Sequence, residues 1–380
     1  MTELDPAMPR TLTELRVLID ALDERILSLL NERARIAAEV GEYKRAAQPE
    51  APFHAPARER EVLARLEALN TGPFPGGAVR PVFQEIMSAC LSLERPLRVA
   101  FVGPEGAFSH QAVNYQFGLS AHAVPRRSIA AVFQAVERGQ ADYGVVPVEN
   151  ANEGVVDSTL DAFLESPLRI VAEILLPLDL ALLIRHDLEL DRVRQVYAPS
   201  ESLSRCRRWL ADRLPEATQV AASSAADAAR LAREDPEGAA VASGLAAKLF
   251  DLHVGSEGIQ DVGGDATRFW VLGQRPSGAT GRDRTSLVVS VKDDPGALYH
   301  VLEPLARRGI NLTRIESRPT RRRPWEYAFF LDLDGHEADE VVGAALAELK
   351  DVSARVKLLG SYPRPAAGAA PVRATPPPQP

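Results

Sequence analysis

Cysteine is nearly missing from these 380 residues: Cys90 and Cys206 are the only two. Two thiols so far apart cannot staple a disulfide scaffold, and they suit a reducing compartment. Lysine is scarce too. Lys44, Lys248, Lys292, Lys350 and Lys357 are the five, leaving 39 of the 44 basic residues as arginine. Long apolar runs are missing. The best stretch, residues 174–184, is short and holds Pro177 and Asp179, so it does not suit a bilayer span. Residues 1–10 are polar and acidic without an apolar run, so no secretory signal is expected there. A positive charge excess is missing as well. The formal net charge of −8 repels a phosphate backbone and argues against nucleic-acid binding. The expectation is a cytoplasmic protein with no membrane or nucleic-acid partner.

What is present is an ordinary globular mixture, with 46% hydrophobic and 25% charged residues. The texture changes along the chain. Residues 1–95 read as three helices. Residues 96–275 alternate β-rich and helical runs. Residues 275–284 (RPSGATGRDR) form a polar linker. Residues 285–362 follow a βαββαβ order. Residues 363–380 are rich in alanine and proline and are expected to be disordered.

The first helix starts at a capping box, Thr11-Leu-Thr-Glu14. Its pattern runs to about Lys44, some 34 residues or roughly 50 Å. So long a helix cannot bury its stripe inside one small domain, which implies a helix from a second chain. At about 100° per residue, Leu15, Leu18, Leu22, Ile26, Leu29, Ile36 and Val40 fall on one face. Arg33 and Lys44 fall on that face too, at about 0° and 20° from Leu15, and Arg16 on its flank at about 100°. Cations on a buried face need an anion, whether a neighbouring carboxylate or a ligand. Phe53-His-Ala-Pro-Ala-Arg58-Glu59 opens a second helix. Pro81 suits the first position of a third, over 82–94, which puts Cys90 and Glu94 on one face.

These segments resemble the all-helical chorismate mutase domain: Leu15-Arg16, Glu32-Arg33, Val40-Gly41 with Lys44, Arg58-Glu59, and residues 83–94. The resemblance implies a domain-swapped helical dimer that folds a dicarboxylate substrate between cations. Arg16 would come from the other subunit, while Arg33, Lys44 and Arg58 belong to the same chain. Glu59 would hold the substrate hydroxyl, Glu94 would sit at the ether oxygen, and Cys90 would line the site. A Claisen rearrangement needs no nucleophile or metal, only a folded dianion and cations aimed at developing charge. Some relatives carry an acid at the position of Ala55 and glutamine at that of Glu94. A glutamate can donate to the ether only when protonated, which burial favours.

In the second region a strand over 97–102 leads into Gly103-Pro-Glu-Gly-Ala-Phe-Ser109, with Ser109 placed to cap a helix. The run Tyr143-Gly-Val-Val-Pro-Val-Glu149-Asn150 is a strand ending in two polar residues, where open α/β sheets bind ligands. Ser223-Ser224 and Asp265-Ala-Thr267-Arg268-Phe269 follow. In this order the segments resemble prephenate dehydratase, an α/β domain of two lobes like a periplasmic binding protein. The resemblance makes Thr267 the catalytic hydroxyl. It makes Ser109, Glu149, Asn150, Ser224, Arg268 and Phe269 substrate-binding, with no cofactor and no metal. The chain departs from the family at Ala198-Pro-Ser-Glu201, where Ser-His-Pro-Gln is common. It departs again at Arg205 before Cys206, where Gln is common, and at Asp265, where Asn is common.

In the third region Asp294-Pro-Gly296-Ala297-Leu298, Asn311-Leu312 and Glu316-Ser317-Arg318-Pro319 resemble the effector loops of ACT domains, a ferredoxin-like α+β fold that senses phenylalanine. Arg321–Arg323 reads as a solvated hairpin. The resemblance covers almost the whole chain. It implies a multidomain, homodimeric or larger enzyme converting chorismate to prephenate and prephenate to phenylpyruvate, regulated by phenylalanine. The rival is a mutase fused to a non-catalytic or arogenate-specific ligand-binding module and an amino-acid sensor.

Overall fold

The computed structural model describes residues 11–47, 56–151, 154–291, 294–319 and 327–365. Phe53 and Ala55, Arg321–Arg323 and most of the C-terminal tail lie outside these.

Three helices come first: α1 (Leu12–Ala47), α2 (Pro56–Leu69) and α3 (Gly76–Glu94). The capping box at the start of α1 forms as expected. Glu14 Oε2 accepts from Thr11 N at 2.8 Å, and Thr11 Oγ1 accepts from Glu14 N at 3.3 Å. Gly41 does not end α1. It is buried where α1 crosses α3, and a Cβ there would run into the Glu94 side chain. The third helix starts earlier than the proline signal suggests. Pro81 lies inside it as its sixth residue, close enough to the N-terminus that only a bond to Gly77 is lost. The apolar stripe of α1 stays open within one chain: Leu15, Leu18, Leu22, Ile26, Leu29, Ile36 and Val40 are 40–61% exposed.

The second region has two sheets. Its chain runs β1 (Arg98–Val102), α4 (Phe108–Phe117), β2 (His122–Arg126), α5 (Ile129–Glu137), β3 (Tyr143–Asn150), β4 (Gly154–Val155), α6 (Asp157–Glu165) and β5 (Arg169–Pro177). It crosses to a second sheet through β6 (Ala181–Ile184), β7 (Gln195–Ala198), α7 (Ser200–Arg205), α8 (Arg207–Arg213), β8 (Thr218–Ala221), α9 (Ala225–Glu234), β9 (Gly238–Ala242), α10 (Gly244–Leu249) and β10 (His253–Glu257). Then β11 (Ala266–Gly273) returns to the first sheet. The strand orders are β2-β1-β3-β11-β5, with β4 beside β3, and β10-β6-β9-β7-β8. Only the segments after β5 and before β11 cross between the sheets. The apolar stretch 174–184 divides between β5 and β6 at one of these crossings. Among the described residues no helix is long and apolar enough to cross a membrane.

The third region has β12 (Asp283–Ser290), α11 (Ala297–Arg307), β13 (Leu312–Pro319), β14 (Tyr327–Asp334), α12 (Glu340–Val352) and β15 (Arg355–Pro363). Its antiparallel sheet has the order β13-β14-β12-β15. The predicted linker gives its last two residues, Asp283 and Arg284, to β12. The strand expected near 355–358 extends to Pro363, because residues 360–363 also pair with β12, and Leu359 and Tyr362 cover the second region.

One face of this sheet carries α11 and α12. The other joins the core of the second region: Val288, Ala328, Phe330, Leu359 and Tyr362 share a cluster with Ile170, Phe163 and Trp270. Lys357 crosses the boundary, its Nζ donating to the carbonyls of Phe163 and Ser166 at 2.6 Å each, at the C-terminal end of α6. The closest approach is at Gly360, where a Cβ would collide with the backbone of Ile170. Gly360→Ala is therefore expected to destabilise the boundary by about 1–3 kcal/mol. The matching fall in unfolding temperature is roughly 2–10 °C. Calorimetry checks this, and an unchanged transition would show that the strand shifts freely.

Candidate active sites

One cavity, of about 200 Å³, lies among the three N-terminal helices. Arg33 and Lys44 reach it from α1, Arg58 and Glu59 from the first turn of α2, and Cys90 and Glu94 from α3. Six of the seven residues expected there are thus together. The seventh, Arg16, is exposed and is not part of the lining. No carboxylate among the described residues pairs with Arg33. Arg58 takes Glu61 at 2.7 Å, but both side chains are mostly exposed, so that pair holds it weakly. Glu94 Oε2 is buried without a hydrogen-bond partner. A half-buried cation with no carboxylate partner among the described residues and an orphan carboxylate oxygen in one cavity fit a ligand carrying both anionic and polar oxygens.

The sequence did not disclose the roof of this cavity. Phe117, Ser120 and Ala121 of the second region close it, opposite Met87, Ser88, Leu91 and Ser92 of α3. The turn after α4 needs Gly118, whose φ is 73°, because a Cβ there would strike Ser88. Leu119 N donates to Glu85 at 3.0 Å beside it. The spacing of Cys90 and Glu94 on α3 was legible as one helix face. The loop that meets it was not.

The second site lies between the two sheets of the middle region. Strand β11 enters beside β3, with Thr267 opposite Asn150 in register. Both are buried, and Asn150 Nδ2 donates to Thr267 Oγ1 at 2.9 Å. Arg205, at the end of α7 on the second sheet, reaches across. It pairs with Glu201 at 3.0 Å, forms an ion pair with Asp265, and donates to Asn150 Oδ1 at 3.4 Å. The three departures from the family pattern therefore meet in one cluster, and the new base is balanced by new acids.

The pleat divides the remaining expected residues. Glu149 and Arg268 are also opposite in register, but successive side chains alternate faces. They turn to the C-terminal sheet rather than joining Asn150 and Thr267. Arg268 pairs with Glu173 and Asp332 at 2.8 Å each and donates to Tyr362 Oη at 3.3 Å. Burial opposes its charge, but Asp332, Tyr362 and Glu173 hold its pKa well above the ordinary arginine value. Glu149 lies 3.5 Å from Arg314 Nε and 3.7 Å from Arg268. Phe269 packs in the apolar core with Val99, Phe101 and Val113.

Ser109 is not the expected helix cap. The helix starts one residue earlier at Phe108, and the buried Ser109 hydroxyl donates to Val102 O at 2.7 Å. The Gly-rich loop is instead held by His110 and Ser243. Gly106 N donates to His110 Nδ1 at 3.1 Å, so His110 is an acceptor there, and burial lowers its pKa. Ser243 Oγ, from the second sheet, donates to Gly106 O at 3.0 Å. Ser224 caps α9 by accepting from Asp227 N at 3.1 Å. Cys206 is buried, and burial pushes its thiol up to about 12, which removes it as a nucleophile.

In the third region Gly296 is left-handed (φ 79°) at the start of α11, followed by Ala297 and Leu298 in the first turn. Asn311 and Leu312 stand past the other end of that helix, which over 11 residues is about 16 Å long. Asn311 Nδ2 donates to Asp334 at 3.1 Å, and Leu312 packs against the core of this region. Of the Glu316–Pro319 run, Glu316 and Arg318 are half-buried while Ser317 and Pro319 are exposed. Arg318 pairs with Asp157 and Asp161 of α6 at 2.6 and 3.1 Å. One chain thus keeps the expected effector segments apart.

Residues 15–95 match the family chorismate mutase type II, residues 99–277 the family prephenate dehydratase, and residues 285–351 the ACT domain. The chain is 47% identical over 357 residues to the bifunctional chorismate mutase/prephenate dehydratase of Aquifex aeolicus. That match covers 93% of this chain and 98% of the relative. The protein of the same description from Stutzerimonas stutzeri is 44% identical over 356 residues, with the same coverage of each chain. Among solved structures, prephenate dehydratase in complex with L-Phe from Arthrobacter aurescens aligns with a TM-score of 0.65 and 37% identity. That alignment covers 70% of this chain and 90% of the other.

Proposed function

The chain belongs to the bifunctional chorismate mutases/prephenate dehydratases, and from that premise we propose which residues carry each reaction and how the product regulates it. The helical region isomerises chorismate to prephenate. Arg33, Lys44 and Arg58 fold the dicarboxylate, Glu59 takes its hydroxyl, and Glu94 faces the ether oxygen. Arg16 arrives from a second copy. The observation that carries this reading is the cavity that brings five of these six residues together, with no carboxylate among the described residues pairing with Arg33. No cofactor is needed, because the rearrangement moves electrons within one molecule and cations stabilise the charge that develops.

The middle region decarboxylates and dehydrates prephenate. Its two sheets act as lobes of a binding-protein-like pair around a cleft. The leaving ring hydroxyl takes a proton from the Thr267 hydroxyl, the ring carboxylate departs as CO₂, and the ring becomes aromatic as phenylpyruvate. A free threonine is a weak acid, so its hydroxyl serves as a relay. A dry cleft raises the energy of the departing carboxylate and strengthens the hydrogen bond to the leaving group.

The ferredoxin-like third region binds phenylalanine and lowers dehydratase turnover. The separation of Gly296–Leu298 from Asn311–Leu312 supports an effector site completed by a second copy, and the open stripe of α1 supports the same homodimer. The proposed boundaries are 1–95, 96–275 and 285–362, in a cytoplasmic enzyme.

The test is purified protein with prephenate at neutral pH, phenylpyruvate being followed by mass spectrometry against a no-enzyme control. Wild-type protein forms phenylpyruvate and phenylalanine suppresses it. Gly296→Val abolishes the suppression, because valine is strained at this left-handed position. Chorismate consumption without phenylpyruvate would replace the substrate, with arogenate next. Suppression surviving Gly296→Val would move the effector site elsewhere.

A further inference from the structure

We infer that Arg205 is a positioning residue of the dehydratase, orienting the Thr267 hydroxyl through the Asn150 side chain. The inference rests on Thr267 being the proton donor proposed above. A carboxamide can offer a neighbour either its oxygen or its NH₂, whereas a guanidinium can only donate. Arg205 donates to Asn150 Oδ1, so the oxygen of that amide is held towards α7 and its NH₂ towards Thr267. Thr267 Oγ1 therefore accepts from Asn150 and keeps its own proton for the substrate. With the amide reversed, Thr267 would donate to Asn150 Oδ1, and that proton would be engaged away from the leaving hydroxyl.

Arg205 is itself fixed from several sides. Its backbone carbonyl accepts from Asp261 N at 2.7 Å, and Asp261 in turn accepts from Arg208 N and Trp209 N at the start of α8. Glu201 holds its guanidinium one turn back on α7. Asp265, with a side chain only 4% exposed, holds it from the crossing segment two residues before Thr267. Leu178 N donates to Asp265 O at 2.9 Å, so this pair sits where both crossings between the lobes meet. Arg205 thus ties the second lobe to the two strands that carry Asn150 and Thr267. Asp265 is the counter-charge without which a guanidinium only 16% exposed would be costly.

The experiment compares two double variants of the full chain, Arg205→Gln/Asp265→Asn and Arg205→Met/Asp265→Asn, by steady-state kinetics with prephenate. Asp265→Asn avoids leaving a buried carboxylate unpaired. Glutamine keeps an N–H donor towards Asn150, and methionine fills similar space without one. The expected result is a kcat for the Met pair about tenfold or more below that of the Gln pair, with KM within about twofold. The difference is expected to vanish when Asn150→Ala is added. Equal kcat values, or a difference that persists without Asn150, overturn the inference. An independent variant is Asn150→Asp, an isostere that only accepts and so must take the Thr267 proton. Near-wild-type turnover in Asn150→Asp overturns the orientation argument even if the Met pair fails to fold. Wild-type protein that forms no phenylpyruvate overturns the functional reading itself and this inference with it.

Discussion

Thr267→Ala is expected to lower prephenate turnover by about 10²–10⁴-fold, the usual worth of a positioned proton donor. Chorismate consumption by the same preparation is expected to be unchanged. Thr267 and Asn150 face each other across adjacent strands, and Asn150 donates to the threonine oxygen, which leaves the hydroxyl proton as the group available to the cleft. Alanine removes that proton together with the oxygen that accepts from Asn150, and leaves the rest of the site in place. The side chain is small, β11 keeps both of its neighbouring strands, and the helical cavity is built from other segments. Thr267→Ser, which keeps the hydroxyl, is expected to retain far more activity than Thr267→Ala. Phenylpyruvate formation and chorismate loss, measured side by side, read both outcomes. Undiminished phenylpyruvate formation by Thr267→Ala would assign the proton to another group.

The second large effect concerns the mutase. Arg16→Ala and Lys44→Ala are each expected to lower chorismate turnover by about 10²–10³-fold, the scale for removing one donor at developing charge. Co-expressing the two variants is then expected to restore about a quarter of wild-type activity. Helix α1 is unbroken from Leu12 to Ala47. Arg16 therefore stands about 25 Å from Arg33 and about 42 Å from Lys44 along it. No side chain spans that within one chain, so Arg16 reaches a cavity only from a second copy in a two-fold dimer. Half of the randomly assembled dimers are mixed, and each mixed dimer has one intact site of two. The recovered rate is the measurement, and the absence of any recovery would place Arg16 outside the partner's cavity. The open apolar stripe of α1 gives such a dimer its driving force, since contiguous exposed apolar surface of this kind marks an interface.

Much of this protein was legible along the chain. The capping box at Thr11, the long first helix, the strand from Tyr143 to Asn150 and the βαββαβ order all depend on residues within a turn or a strand of one another. Local propensity and periodicity encode such features directly. The mutase residues were legible for the same reason: Arg33, Lys44, Cys90 and Glu94 sit at helical spacings that put them on shared faces.

Other features came only with the tertiary structure. A strand's alternation separates Glu149 and Arg268 from Asn150 and Thr267, but it does not say which face meets the cleft. That was decided when the C-terminal sheet covered one face and supplied Asp332, Tyr362 and Arg314. Ser109 had the composition of a cap, yet a helix starting at Phe108 turned its hydroxyl to Val102 instead. The altered residues Glu201, Arg205 and Asp265 read singly as damage to one wall. Across some 60 residues of chain, the crossing of two sheets makes them one balanced cluster around Asn150. Sequence determines which groups a segment presents, because that follows from backbone geometry over a few residues. Which of those groups meet is decided by how distant segments assemble, because a charge excluded from water must find its partner wherever the fold provides one.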